Sequence, residues 1–169
     1  LQKSDLIILA ARPAMGKTAF ALNIAQNVGV QSKKPVFIFS LEMKKDQLVQ
    51  RMLCSQAEID MGRLKSGRMQ NKDWCDLSEA MGILSEAPIY IDDTPSLTIT
   101  DLRAKCRKAA LSYGDPGLIV IDYLQLMEGS TKGSANLDID DLKRVNKLMN
   151  QYDKTKKMMK SISSMAGKF

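Results

Sequence analysis

Four side chains in this chain could work on a phosphate ester: Lys17, Thr18, Glu42 and Asp122. Residues 6–18 read Leu-Ile-Ile-Leu-Ala-Ala-Arg-Pro-Ala-Met-Gly-Lys-Thr. That is an apolar run, a short loop, and Gly-Lys-Thr at the opening of a helical pattern. Backbone N–H groups of such a loop can point inward as an anion nest, and the helix start adds its partial positive charge. Lys17 offers a point charge for the outer phosphates of a nucleoside triphosphate, and Thr18 a hydroxyl for Mg²⁺. The loop that runs into Gly16-Lys17-Thr18 is therefore the candidate phosphate-binding loop. Ala11 stands where the pattern G-x-x-x-x-G-K-[ST] has its first Gly. A chance Gly-Lys-Thr is the bland alternative; the expected strand before it and helix after it argue against that.

Asp122 ends the run Leu-Ile-Val-Ile-Asp at 118–122. A carboxylate at the carboxyl end of a buried strand can hold Mg²⁺ opposite a phosphate loop, usually through water. By itself it could equally cap a turn; with Lys17 and Thr18 upstream, the metal role is preferred. Glu42 lies just past Val-Phe-Ile-Phe-Ser at 36–40. A carboxylate there could orient or deprotonate an attacking water. It could also be an exposed acid at a helix start, which the helix dipole favours. Spacing alone leaves both open.

The elements that must position these groups alternate. Strands are expected at 6–10, 36–40, 89–92 and 118–122. Helices are expected at 17–28 with Phe20, Ile24 and Val28 on one face, and at 46–57 around Leu48, Met52 and Leu53. Two more are expected at 71–84, capped by Asn71 with Trp74, Leu77 and Met81 inward, and at 100–111, capped by Thr100. Strand–helix alternation implies crossover connections, hence an α/β fold with a mainly parallel sheet and helices on both faces. Ligands in such sheets bind beyond the carboxyl ends of the strands, where Lys17 and Asp122 fall.

The chain has 169 residues and a formal charge of +6, which suits an anionic partner such as nucleotide or nucleic acid. No apolar run reaches the length of a membrane span, so no membrane partner is expected. Cys54, Cys75 and Cys106 are scattered and there is no His, so a zinc site is not expected, and free thiols suit a reducing cytoplasm. No leader segment is visible, and a start at Leu1 suggests a fragment or cut domain. After residue 128 the composition changes: a Gly/Ser-rich linker at 129–137 precedes a basic, Met-containing amphipathic helix at 138–169. That helix could be a solvated surface, or a binding element for RNA, a membrane or a protein.

The segments 10–18, Ser40-Leu41-Glu42-Met43 and Ile121-Asp122-Tyr123-Leu124-Gln125-Leu126 resemble the motor domain of bacterial replicative DNA helicases, the DnaB family. Tyr90 to Pro95 and Arg103 to Arg107 are also similar. The resemblance spans residues 1–128 and includes Ala for the first loop Gly. It implies a RecA-like phosphate-loop fold, incomplete here, with ATP hydrolysis between subunits of a homo-oligomeric, hexameric ring on single-stranded DNA. It makes Glu42 and Lys17 the catalytic residues, places Thr18 and Asp122 at Mg²⁺, and puts Arg12, Pro13, Ala14, Met15, Gly16, Lys17 and Thr18 around the phosphates of ATP. The family's later strands, its γ-phosphate-sensing Gln and its arginine finger are not seen after 128, so feeble or no turnover is expected of the chain alone. The last segment resembles the end of the methionine-rich domain of the signal recognition particle protein. That implies an RNA-binding module as the alternative function, or an inactive assembly fragment as a third, and a chain joined from two unrelated proteins.

Overall fold

The computed structural model describes residues 5–12, 14–123 and 127. The 129–137 linker and the 138–169 tail lie outside the described residues, as does Pro13. Among the described residues eight elements follow one another: α1 (Lys17–Ser32), β1 (Val36–Ser40), α2 (Lys45–Ala57), α3 (Met61–Ser66), α4 (Asn71–Ser85), β2 (Ile89–Asp92), α5 (Ile99–Tyr113) and β3 (Leu118–Asp122). The sheet is parallel, in the order β2-β1-β3, with Val36 opposite both Ile89 and Leu118, and Ser40 opposite Asp122.

All five residues of β1 are buried, as its unbroken apolar sequence requires of a strand covered on both faces. Period-two alternation sorts the sheet into two cores. Val36 and Ile38 point to one side with Leu22, Ala25, Leu48 and Met52 from α1 and α2, backed by Ile89, Ile91, Leu118 and Val120. Phe37 and Phe39 point to the other, with Leu97, Leu102 of α5 and Met127. Helices thus cover both faces, as expected.

The chain departs from the sequence expectation in five places. The short helix α3 is one that the expectation lacked; the Asp60 side chain starts it by accepting from the Arg63 N–H at 3.1 Å. Residues 6–10 are exposed and form no strand; Ile8 is 64% exposed. An apolar run becomes a strand only where a neighbour takes its N–H and C=O groups, and among the described residues none pairs with it. The buried stripe of α1 is Leu22, Ala25, Gln26 and Gly29, and Phe20 is largely exposed. The reason is Gly29: a Cβ there would lie 2.5 Å from Ile89 Cγ1, so small residues let the helix rest close on the sheet. In α4, Leu77 is buried as expected, but Trp74 and Met81 are exposed; Asp73 and Ala80 are the other inward residues, because this helix packs chiefly on α2. The helix caps fall one or two residues early. Gln70 and Asp73 form a capping box at α4, and Thr98 and Asp101 form another at α5. Each supplies reciprocal acceptors to first-turn N–H groups, which Asn71 and Thr100 do not. No helix among the described residues is long and apolar enough to cross a membrane.

Candidate functional site

The loop before α1 turns tightly. The Met15 N–H donates to the Arg12 carbonyl at 3.3 Å, and Ala14 and Gly16 have φ of 64° and 82°. Gly16 is the N-cap of α1, and its left-handed geometry is one that glycine adopts without strain. It brings no side-chain cap, and the first turn of α1 contains no acid. The helix therefore opens with donor N–H groups that no side chain satisfies. Arg12, Ala14, Met15 and Gly16 are all exposed around this opening.

Asp122 closes the site from the sheet. Although 104 residues separate them, Thr18 Oγ1 donates to Asp122 Oδ2 at 2.6 Å. Lys17 Nζ lies 3.3 Å from Asp122 Oδ1 and 4.3 Å from the centroid of the Tyr123 ring. Asp122 is buried, so its charge needs these partners. One hydroxyl and one carboxylate face each other here, a donor pair suited to a hard cation that prefers oxygen and keeps waters.

Glu42 is exposed on the turn after β1. Its side chain is not among the hydrogen bonds that join Lys17, Thr18 and Asp122. Its backbone position is nonetheless tightly defined. Buried Ser40 donates its hydroxyl to the Met43 carbonyl at 2.7 Å and accepts from the Met43 N–H at 3.2 Å. The Leu41 N–H donates to the Asp122 carbonyl at 2.8 Å, which extends the β1–β3 ladder past the strand ends. Asp93 accepts from the Lys45 N–H at 3.0 Å, so the residue after β2 caps the start of α2 just past the turn. Asp92 in turn receives Lys105 Nζ at 2.5 Å, and Thr94 receives it at 2.7 Å. Partial burial pushes the Asp92 carboxyl up, but hydrogen bonds from Lys105 and Thr94 and the Lys105 charge outweigh that and hold it below its ordinary range. Ser40, Asp93 and Lys105 are supports that sequence reasoning missed. Their only signal was that they fall in or beside segments already singled out for resemblance.

Residues 1–162 match the family described as the DnaB-like helicase C terminal domain. The chain belongs to this family. Over 135 residues it is 56% identical to the replicative DNA helicase DnaB of Geobacillus stearothermophilus, covering 80% of this chain and 30% of that protein. Over 129 residues it is 57% identical to the replicative DNA helicase DnaB of a Nostoc species, covering 76% and 15% respectively. The chain thus spans under a third of these relatives. Among solved structures, a DnaB-like replicative helicase described with its interactions with primase superposes with a TM-score of 0.81 at 32% identity, over 89% of this chain and 37% of that one. A second solved structure, of an ATPase domain, gives 0.73 at 30% identity, over 84% and 51%. This DnaB-like domain therefore has the expected RecA-like α/β fold class. The family match also continues past residue 128 to residue 162, through most of the segment that resembled the signal recognition particle protein.

Proposed function

We propose that this chain is the ATP-binding and ATP-hydrolysing motor part of a replicative DNA helicase, working in the cytoplasm as one subunit of a hexameric ring on single-stranded DNA. In this reading the motor part takes in residues 1–128, followed by a Gly/Ser-rich segment at 129–137 and a basic, Met-containing segment at 138–169. The observation that carries this reading is the meeting of Lys17, Thr18 and Asp122 at the carboxyl end of the sheet, beside an uncapped helix start.

In this reading residues 12–18 surround the phosphates of ATP, the backbone N–H groups of all but Pro13 can donate to them, and Lys17 neutralises the outer ones. Thr18 and Asp122 would hold Mg²⁺, and the ion would supply positive charge beside the phosphate oxygens. Glu42, set one strand over from Asp122, accepts a proton from the attacking water or orients it. Burial of Asp122 strengthens its own charge interaction with Lys17 and its hydrogen bond from Thr18.

The test is a titration of a fluorescent ATP analogue into the chain, with and without Mg²⁺, beside Lys17→Ala. Mg²⁺-dependent binding that Lys17→Ala abolishes is the expected result. Binding indifferent to both Mg²⁺ and Lys17 refutes the reading.

A further inference from the structure

Tyr123 belongs to none of the roles above, yet it touches the most important cation of the site. Its ring lies 4.3 Å from Lys17 Nζ by the centroid, while the same ammonium sits 3.3 Å from Asp122 Oδ1. An ammonium over an aromatic face is attracted by the ring quadrupole, and the ring carries no net charge of its own. The two contacts therefore differ in kind. Asp122 neutralises the ammonium, whereas Tyr123 holds it in place without cancelling its charge. Thr18 is held by the second oxygen of the same carboxylate, at 2.6 Å. Both side chains that open α1 are thus folded back onto the end of β3.

We propose that Tyr123 is a positioning residue that clasps Lys17 against the end of β3. An entering phosphate must draw the ammonium off the ring as well as off the carboxylate. The ring thus lowers phosphate affinity while keeping Lys17 at the mouth of the site. This inference rests on the nucleotide reading of the same site and adds a residue that tunes it.

The experiment has two readouts on the full chain. The first is the NMR position of the Lys17 Cε protons, which a ring face displaces upfield. That displacement is expected in the nucleotide-free chain, retained in Tyr123→Phe, and lost in Tyr123→Leu and on saturation with a Mg²⁺–ATP analogue. The second is affinity for that analogue. An ammonium–ring attraction of ordinary strength corresponds to about two- to fivefold tighter binding in Tyr123→Leu. Tyr123→Phe should bind as the parent chain does, and progressive fluorination of the Phe ring, which drains its quadrupole, should move affinity stepwise toward the Leu variant.

An undisplaced Lys17 resonance, or affinity insensitive to fluorination while Lys17→Ala still abolishes binding, overturns the clasp and leaves the nucleotide reading standing. Binding that ignores Lys17→Ala overturns both.

Discussion

Replacing Ser40 with Ala separates two properties of the site that usually fall together. Ser40 is 2% exposed, and its hydroxyl makes both hydrogen bonds that close the turn carrying Glu42. Each is worth about 0.5–1.5 kcal/mol net. Met43 is half-buried, so water can replace part of what is lost. The expected cost is therefore about 1–2 kcal/mol, drawn from the ordering of a single turn. If that ordering is what holds Glu42 toward the water, the hydrolytic step slows about 5- to 30-fold. This lies below the roughly 10²- to 10⁴-fold that a positioned acid–base group supplies in full, as it should for a residue that acts only through Glu42. Nucleotide affinity should not change, because Ser40 makes no hydrogen bond to Lys17, Thr18 or the Asp122 side chain. The assay is single-turnover hydrolysis with binding measured in parallel, in the parent and in a Glu42→Gln background. The rate loss should vanish in Glu42→Gln, while urea denaturation still shows the stability loss. An equal rate loss in both backgrounds, or an unchanged rate beside a clear stability loss, refutes the coupling of Ser40 to Glu42.

Four further outcomes are expected. Thr98→Ala removes one half of the α5 capping box and should cost about 1 kcal/mol in urea denaturation, with an unchanged m-value. Gly29→Ala forces Ile89 to move and should cost about 1–3 kcal/mol in overpacking, offset only in part by the roughly 1 kcal/mol helix preference of Ala; a gain in Tm would contradict the close approach. Cys75 is exposed, whereas burial pushes the Cys106 thiol up to about 11 and raises that of Cys54, so a thiol reagent at neutral pH should modify Cys75 first and the other two only on unfolding. The Asp92 carboxyl sits below its usual value of 3.8 in the folded chain, so its contribution to stability is complete above that value and is lost as pH falls through the lower folded one; Lys105→Met should blunt this acid sensitivity in a pH series of thermal melts.

The parts legible in the sequence were those in which one local pattern decides the outcome. The strands at 36–40, 89–92 and 118–122 were read to the residue, since short apolar runs between turn residues leave little freedom in their ends. Lys17, Thr18 and Asp122 were also legible, because motif spacing implied their meeting and the fold class puts strand ends and helix starts on one side of the sheet. Helix faces were less legible. Periodicity names a stripe, but which stripe is buried depends on the partner, and the Gly29–Ile89 approach turns α1 toward its small residues. Residues 6–10 show the same limit more sharply: their composition suits a strand, but pairing is a property of the neighbour. Tyr123, Ser40, Asp93 and Lys105 were not assigned, since each acts through a contact far away in sequence or through a turn whose geometry no residue type announces.

The seating of α1 has a mechanical meaning. Near its far end, Gly29 brings the helix backbone against β2 with no side chain of its own between them, while Lys17 and Thr18 occupy its first turn. From Lys17 to Gly29 the helix runs about 18 Å at 1.5 Å per residue. Between those two points Leu22 and Ala25 are buried against β1 and α2, so α1 is held along its length and not at one end. The first turn is therefore aimed by a rigid seat. A side chain added at Gly29 would lift the far end off Ile89, and across about 18 Å of helix a tilt of roughly 5° would carry Lys17 through about 1.5 Å, enough to break its contact with Asp122.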